Sequence, residues 1–298
     1  MNITQLAQSN CQLLKQENNW LVRSKVKQNR YQSDTFAKTS EMTDTELKQF
    51  LDSQAARFDC PDFIAEDPIS VPHRFSRPDD IAIAGFLAAT IAWGQRKSIV
   101  KSAHRLINWM DGSPHDFVLN CTEADLKPFE QFVYRTFNGT DCVTFLRSLH
   151  NIYVNHGGLE NVVTEGFNST GSIRGALSHF YNVFFEMEHL HRTEKHLANP
   201  DKGSASKRMN MFLRWMVRQS ATGVDFGIWR SIPQSALCIP LDVHVGNVSR
   251  QLGLLTRKQN DWQAVEELTA RLRQFCPDDP VKYDFALFSL GVNCERII

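Results

Sequence analysis

The chain has 298 residues, 42% hydrophobic and 22% charged, enough apolar material for a sizeable buried core in one or two domains. Its 33 basic and 33 acidic residues cancel, so any affinity for nucleic acid has to come from a local patch and not from a global field. No apolar run approaches the ~20 residues of a membrane span, the opening MNITQLAQSN lacks a signal-peptide core, and seven cysteines are scattered without a CxxC. These features predict a reduced, cytoplasmic protein with no membrane partner, disulfide framework or zinc ribbon.

Residues 1–42 are polar, carry Arg23, Lys25, Lys27 and Arg30, and read as an N-terminal extension. Met42 is an alternative start. In SEMTDTELKQFLDSQAARF, Thr43 and Asp44 offer caps while Leu47, Phe50 and Leu51 share one face, which predicts a helix. DPISVPHRFSRPDD, 67–80, has three prolines and reads as an irregular connector. From Asp79 the pattern is helical: Ile83, Leu87 and Ile91 are four apart, and after Gly94 come Ile99, Ala103, Leu106, Ile107 and Met110. Further helices are predicted near 142–155, 173–190, 206–219, 243–252, 262–275 and 281–290. Two-residue alternation is scarce and hairpin signals are absent. The reading is an all-α protein of about a dozen helices, without internal repeats.

The clearest amphipathic piece is KRMNMFLRWMVR, 207–218. Met209, Phe212, Leu213, Met216 and Val217 occupy one face, and Lys207, Arg214 and Arg218 return to one line on the other. No acid occurs between Lys202 and Arg218, while five basic residues, Arg208 among them, do. Ser204 or Ser206 can cap this helix, and amides at a helix start favour anions, so the segment fits a phosphate-backbone grip. A solvated face explains the same stripe. A second basic cluster is QRKSIVKSAHRLINWM, with Arg96, Lys97, Lys101 and Arg105.

IPLDVHVGNVSRQLGLL, 239–255, sets one carboxylate, Asp242, before a short helical pattern. Aspartate is a favoured N-cap. A carboxylate at a helix start is also biased towards its ionised form and can stabilise a neighbouring developing positive charge, so cap and catalytic acid can be one residue. His189, His191 and His196 are close in sequence, but a metal site would need convergent ligands, and surface or hydrogen-bonding histidines are the expectation. DFG at 225–227 lacks the other kinase motifs, and no P-loop, G-x-S-x-G elbow or dinucleotide fingerprint occurs. Trp93 and Trp215 lie beside basic residues, where they could stack on bases.

DIAIAGFLAATIAWGQRKSIVKSAHRLINWM resembles the opening of the helix-hairpin-helix DNA glycosylases, with Gln95 on the glutamine of their turn. IPLDVHVGNVSRQLGLL is similar to their segment bearing the catalytic aspartate, with Asp242 on that acid. PVKYDFALFSLGVNC resembles their closing helix. The combination DPISVPHRF, IAGFLAATIAWGQRK, RTEKH, KRMNMFLRWMVR and PLDVHVGNVSRQLGLL also looks like a bacterial domain-of-unknown-function family over about residues 45–292. The L-P-G-V-G-x-K-T-A hairpin of the glycosylases is missing. Its nearest substitute, GSASKRMNMFLRW, offers Lys207 thirty-five positions before Asp242, a spacing similar to the long gap of archaeal 8-oxoguanine glycosylases. Cys294 falls where some relatives hold an iron–sulfur cluster, but the chain ends four residues later, so neither a cluster nor any other cofactor is expected.

The resemblance implies a two-lobed helical fold, with 82–235 as a central lobe and 43–81 plus 236–298 as the other, and double-stranded DNA crossing between them. It implies that a damaged base is flipped into the cleft, that Lys207 attacks the sugar C1′, that Asp242 stabilises the oxocarbenium-like transition state, and that Gln95 probes the gap. Arg96, Lys97, Arg208, Arg214 and Arg218 would hold the strand. The alternatives are a monofunctional glycosylase in which Asp242 activates water, and a non-catalytic binding or structural protein that keeps the scaffold.

Overall fold

The structure, a computed structural model, describes residues 42–295, with side chains to Val292. Arg23, Lys25, Lys27 and Arg30 of the extension, and the side chain of Cys294, lie outside the described part. Twelve α-helices and one two-stranded hairpin account for its regular structure, with short 3-10 turns between them.

Helix α1 (Asp44–Phe58) starts as its sequence predicts. Thr43 Oγ1 accepts from the Glu46 N–H at 3.3 Å and the Glu46 carboxylate accepts from the Thr43 N–H at 2.8 Å, a reciprocal cap. Leu47, Leu51 and Ala55 are its buried face. The proline-rich connector becomes 3-10 turns at Pro68–Ser70 and Pro72–Arg74, each opened by a proline whose missing N–H needs no partner there. Pro78 likewise opens α2 (Pro78–Thr90).

Helix α2 is buried without interruption from Asp80 to Thr90. An all-round apolar helix belongs in the centre of a core, and the Phe86 ring lies within 6.0 Å of Phe145, Phe180, Phe184 and Phe212. Gly85 admits the crossing segment that carries Phe212 and Met216, because a Cβ at 85 would stand 3.2 Å from the Met216 side chain and 3.5 Å from Phe212. Amphipathic α3 (Arg96–Asn108) follows, burying Ile99, Ala103, Leu106 and Ile107.

Next come α4 (Pro114–Asn120) and α5 (Glu123–Leu126). A hairpin then pairs β1 (Val133–Tyr134) with β2 (Phe137–Asn138), which corrects the expectation of no hairpin. Its strands are two residues long and its turn carries Arg135 at φ 54°, where glycine or asparagine would have signalled it. Support comes from outside: Arg105 donates to the Val133 carbonyl at 2.9 Å and Arg192 to that of Thr136 at 3.3 Å.

Helices α6 (Gly139–Asn155), α7 (Leu159–Thr170) and α8 (Ile173–Phe184) continue the core. The predicted run to 190 stops at Phe184. Glu186 and Glu188 would have stood at the negative end of the dipole, and Glu186 instead receives His156 at 2.7 Å. The last four helices are α9 (Lys207–Val217), α10 (Val243–Gln251), α11 (Trp262–Phe275) and α12 (Tyr283–Glu295). Helix α12 packs on α1 and on α10, so the two ends of the described chain meet. No helix of the described residues is long and apolar enough to cross a membrane.

Candidate active site

Two helix starts face one another in space. The first belongs to α9. Its N-cap position is Ser206, buried and held at φ 46°, where its carbonyl accepts from the Met209 and Asn210 amides at 3.0 Å. The expected side-chain cap is not made. The Ser206 hydroxyl faces the Ser204 carbonyl at 3.4 Å, and Ser204 Oγ accepts from the Ser206 N–H at 3.2 Å. This tight turn projects Lys207, the first residue of the helix.

The second start is that of α10, where Asp242 does two things. Its Oδ1 caps the helix by accepting from the Val245 N–H at 3.0 Å. Its Oδ2 lies 3.8 Å from Lys207 Nζ. The two side chains are 25% and 23% exposed, so a ligand can reach them while bulk water is partly kept away. Met211 Sδ lies 3.4 Å from Nζ and the Phe288 ring centroid 5.8 Å from it. An amine beside a carboxylate, with an apolar wall on one side, can supply a nucleophile and a stabiliser of positive charge.

Behind this pair stands a carboxylate the sequence reading passed over. Asp284, in the first turn of α12, is buried and hydrogen-bonded by Arg214. Burial pushes its carboxyl up to about 6, against the opposing pull of Arg214 and then Lys207. The available signal was a lone acid in the apolar run YDFALF. A second overlooked acid is Asp225 of the chance-looking DFG. It is fully enclosed, receives Arg214 at 3.2 Å and Arg218 at 2.9 Å, and burial outweighs both cations in raising its pKa.

Arg214 and Arg218 therefore do not line an exposed stripe, and that expectation is corrected. Arg214 is 3% exposed and Arg218 5%. Arg218 is shared among Asp225, Asp59 and Asp279, each at 2.9 Å. Burial alone would depress both guanidinium groups, but the surrounding carboxylates more than restore them. With every fork committed inward, neither can take a phosphate. Trp215 is also fully buried, so the stacking role considered for it is withdrawn.

Other basic candidates have different surroundings. Lys97 and Lys101 are exposed. Arg96 is half-buried with its guanidinium 4.9 Å from the centroid of Phe288, the ring that also borders Lys207. Arg208 is half-buried, donates to the Thr90 carbonyl, and lies 4.9 Å from the Trp93 centroid. Among the described residues no carboxylate pairs with it, and burial lowers its pKa to about 10. Gln95 is exposed at the N-cap position of α3. Its turn is fixed by Tyr134, whose hydroxyl donates to the Trp93 carbonyl at 2.6 Å, and by Gly94 at φ 102°, against which Arg135 packs.

The three histidines do not meet at one point, because His189 and His191 share Glu194, at 3.5 and 2.9 Å, while buried His196 faces Asp141 at 3.2 Å. Among the described residues no group of three or more His, Cys, Asp or Glu side chains is placed to hold a metal ion.

Fold and site thus define an all-α protein in which a lysine and an aspartate from two helix starts are paired in a half-buried setting. A family described as protein of unknown function (DUF2400) matches residues 67–293, and the chain belongs to it. No curated protein and no solved structure matches the chain.

Proposed function

We propose that the protein is a DNA base-excision glycosylase acting on a flipped, oxidised base, with Lys207 and Asp242 as its catalytic residues. The observation that carries the reading is their pairing at 3.8 Å. Asp242 falls on the acid of the glycosylase-like segment, and Lys207 is assigned from its helix start and its place thirty-five positions before that acid. Residues 82–235 would form one lobe and 43–81 with 236–298 the other, in the helix-hairpin-helix glycosylase arrangement, with duplex DNA across the cleft. Exposed Gln95, Lys97 and Lys101, with Arg96 and Arg208 nearer the pair, supply the contacts to the strand.

In the reaction, the Lys207 amine gives its electron pair to C1′ as the bond from C1′ to the base nitrogen breaks. The base leaves with that bonding pair and takes up a proton. The Asp242 carboxylate, held at the α10 N-terminus by its cap, stabilises positive charge on the sugar as it develops. The resulting C1′ amine opens to a Schiff base, the species from which strand cleavage proceeds.

The test is reductive trapping. Borohydride added with duplexes carrying 8-oxoguanine, uracil or an abasic site should give a covalent band that Lys207→Ala loses. Base release without a band would mean that Asp242 activates water and Lys207 only holds the strand. A second reading, a non-catalytic nucleic-acid-binding protein on the same scaffold, is favoured by the inward commitment of Arg214 and Arg218. DNA binding with neither band nor base release would select it.

A further inference from the structure

The pair depends on where two backbones stand, and both backbones touch the same three residues, Asn260–Trp262. The Asn260 amide donates to the Asp242 carbonyl at 3.1 Å, beside the Gly246 N–H that reaches that oxygen at 2.9 Å from within α10. Two residues on, the Trp262 N–H donates to the Gly203 carbonyl at 3.1 Å, and Asp261 forms an isolated bridge with Ser204. Gly203 and Ser204 open the turn that ends at Lys207. Trp262 is 3% exposed and Asp261 caps α11 through the Ala264 N–H at 3.1 Å, so the segment is anchored at its far end.

The amide is also aimed. Arg250 Nη2 donates to Asn260 Oδ1 at 2.6 Å, which leaves the NH2 group towards Asp242. Arg250 Nε is fixed in turn on the Arg257 carbonyl at 2.8 Å, and Arg257 grips Asp261 through Nε and Nη2 at 2.7 and 2.5 Å. Space is made for this by Gly246. A Cβ there would lie 2.6 Å from Asn260 Oδ1 and 2.9 Å from Arg250 Nη1. A glycine inside a nine-residue helix costs about 1 kcal/mol relative to alanine, and the close approach of Asn260 accounts for it.

We propose that Asn260 is a positioning residue, whose amide, aimed by Arg250, holds the Asp242 backbone in the register that sets its carboxylate against Lys207, with Asp261 and Trp262 fixing the Lys207 side of the same strap. The role in catalysis rests on the glycosylase reading; the role in setting the pair does not. Asn260 touches neither a reacting atom nor Lys207, so its effect is felt through distance. Misplacement by about 1 Å can reduce a rate as much as roughly a hundredfold.

The experiment uses the full chain, Asn260→Ala, Asn260→Asp, Gly246→Ala and Asp242→Asn. Lysine acylation by an activated ester is quantified by peptide mass spectrometry as the ratio of Lys207 to exposed Lys97. An amine engaged by a carboxylate is less available to the ester. Asn260→Ala and Asn260→Asp should therefore raise the ratio by about threefold, towards that of Asp242→Asn, the scale of a partly exposed ion pair. Gly246→Ala, which pushes Asn260 off its place without altering it, should do the same and covers the case in which an Asn260 variant does not fold. Excision or trapping by the Asn260 variants should fall by tenfold or more in single-turnover rate, with DNA affinity unchanged. An unchanged Lys207 ratio in the folded variants overturns the positioning role, whatever the activity. A raised ratio in a protein whose wild type excises nothing keeps the strap and removes the glycosylase reading.

Discussion

Arg218 Nη2 donates to Asp59 Oδ2 at 2.9 Å, joining the C-cap of α9 to the C-cap of α1 across 159 positions of sequence. The same guanidinium also holds Asp225 and Asp279. Removing it leaves three carboxylates without their shared cation. Arg218→Ala should destabilise the fold by about 3–5 kcal/mol, the range for a broken buried pair, read as a lowered denaturation midpoint. By contrast Lys97→Ala should leave the midpoint unchanged and reduce the slope of log affinity against log salt by about one unit for duplex DNA.

Asp242 separates its two roles by substitution. Asparagine caps as well as aspartate, so Asp242→Asn should keep stability within about 0.5 kcal/mol and lose base excision by at least a hundredfold. Asp242→Ala should lose the same activity and a further ~1 kcal/mol of stability with the cap. Equal activity in wild type and Asp242→Asn would leave the carboxylate with capping alone.

Asp284 gives a pH dependence whose sign follows from its raised value. The native carboxyl holds its proton until about 6, while the unfolded one releases it near the ordinary 3.8. Between those values the native state binds the extra proton, so this residue's contribution to stability declines as pH rises, and is constant above about 6. Over the window the decline is on the order of 3 kcal/mol. Wild type and Asp284→Asn should therefore differ most in the change of their urea midpoints between pH 4 and pH 7, with a steeper fall in wild type, while Asp225, also raised by burial, contributes a falling component to both. Parallel midpoints would place the proton elsewhere.

Gly291 brings α12 onto α10. A Cβ there would meet the Cβ of His244 at 2.8 Å and its backbone at 3.1 Å, and backbone cannot yield as a flexible side chain does. Gly291→Ala should cost about 1–3 kcal/mol by overpacking, measured by thermal or denaturant unfolding.

What the sequence disclosed follows from the range of its interactions. The α1 cap and the Asp242 cap rest on contacts within four residues and were legible; α2 was legible from Asp79, while the Pro78 that opens it reads as part of the connector. The basic stripe of α9 was legible as a stripe but misread as exposed. Its partners Asp59, Asp225, Asp279 and Asp284 are brought in from three other segments, and nothing in KRMNMFLRWMVR names them. Lys207 and Asp242 were named from motif and spacing, yet their distance is set by Asn260, a polar residue in an unremarkable loop. The hairpin stayed hidden because its turn uses Arg135 at a positive φ and relies on Arg105, Arg192 and Tyr134 for support.

That support has a further consequence for Gln95. Tyr134 grips the carbonyl of Trp93 and Arg135 lies against Gly94, so the turn is held through its main chain and a residue with no side chain. The side chain at 95 stands outside that grip. Folding is then almost indifferent to which amino acid occupies the position, and its inheritance is governed by whatever the exposed tip encounters. A population of relatives drifting freely at 95 while keeping Tyr134 and Gly94 would mark a turn preserved for its shape. One that holds glutamine would record selection by a partner.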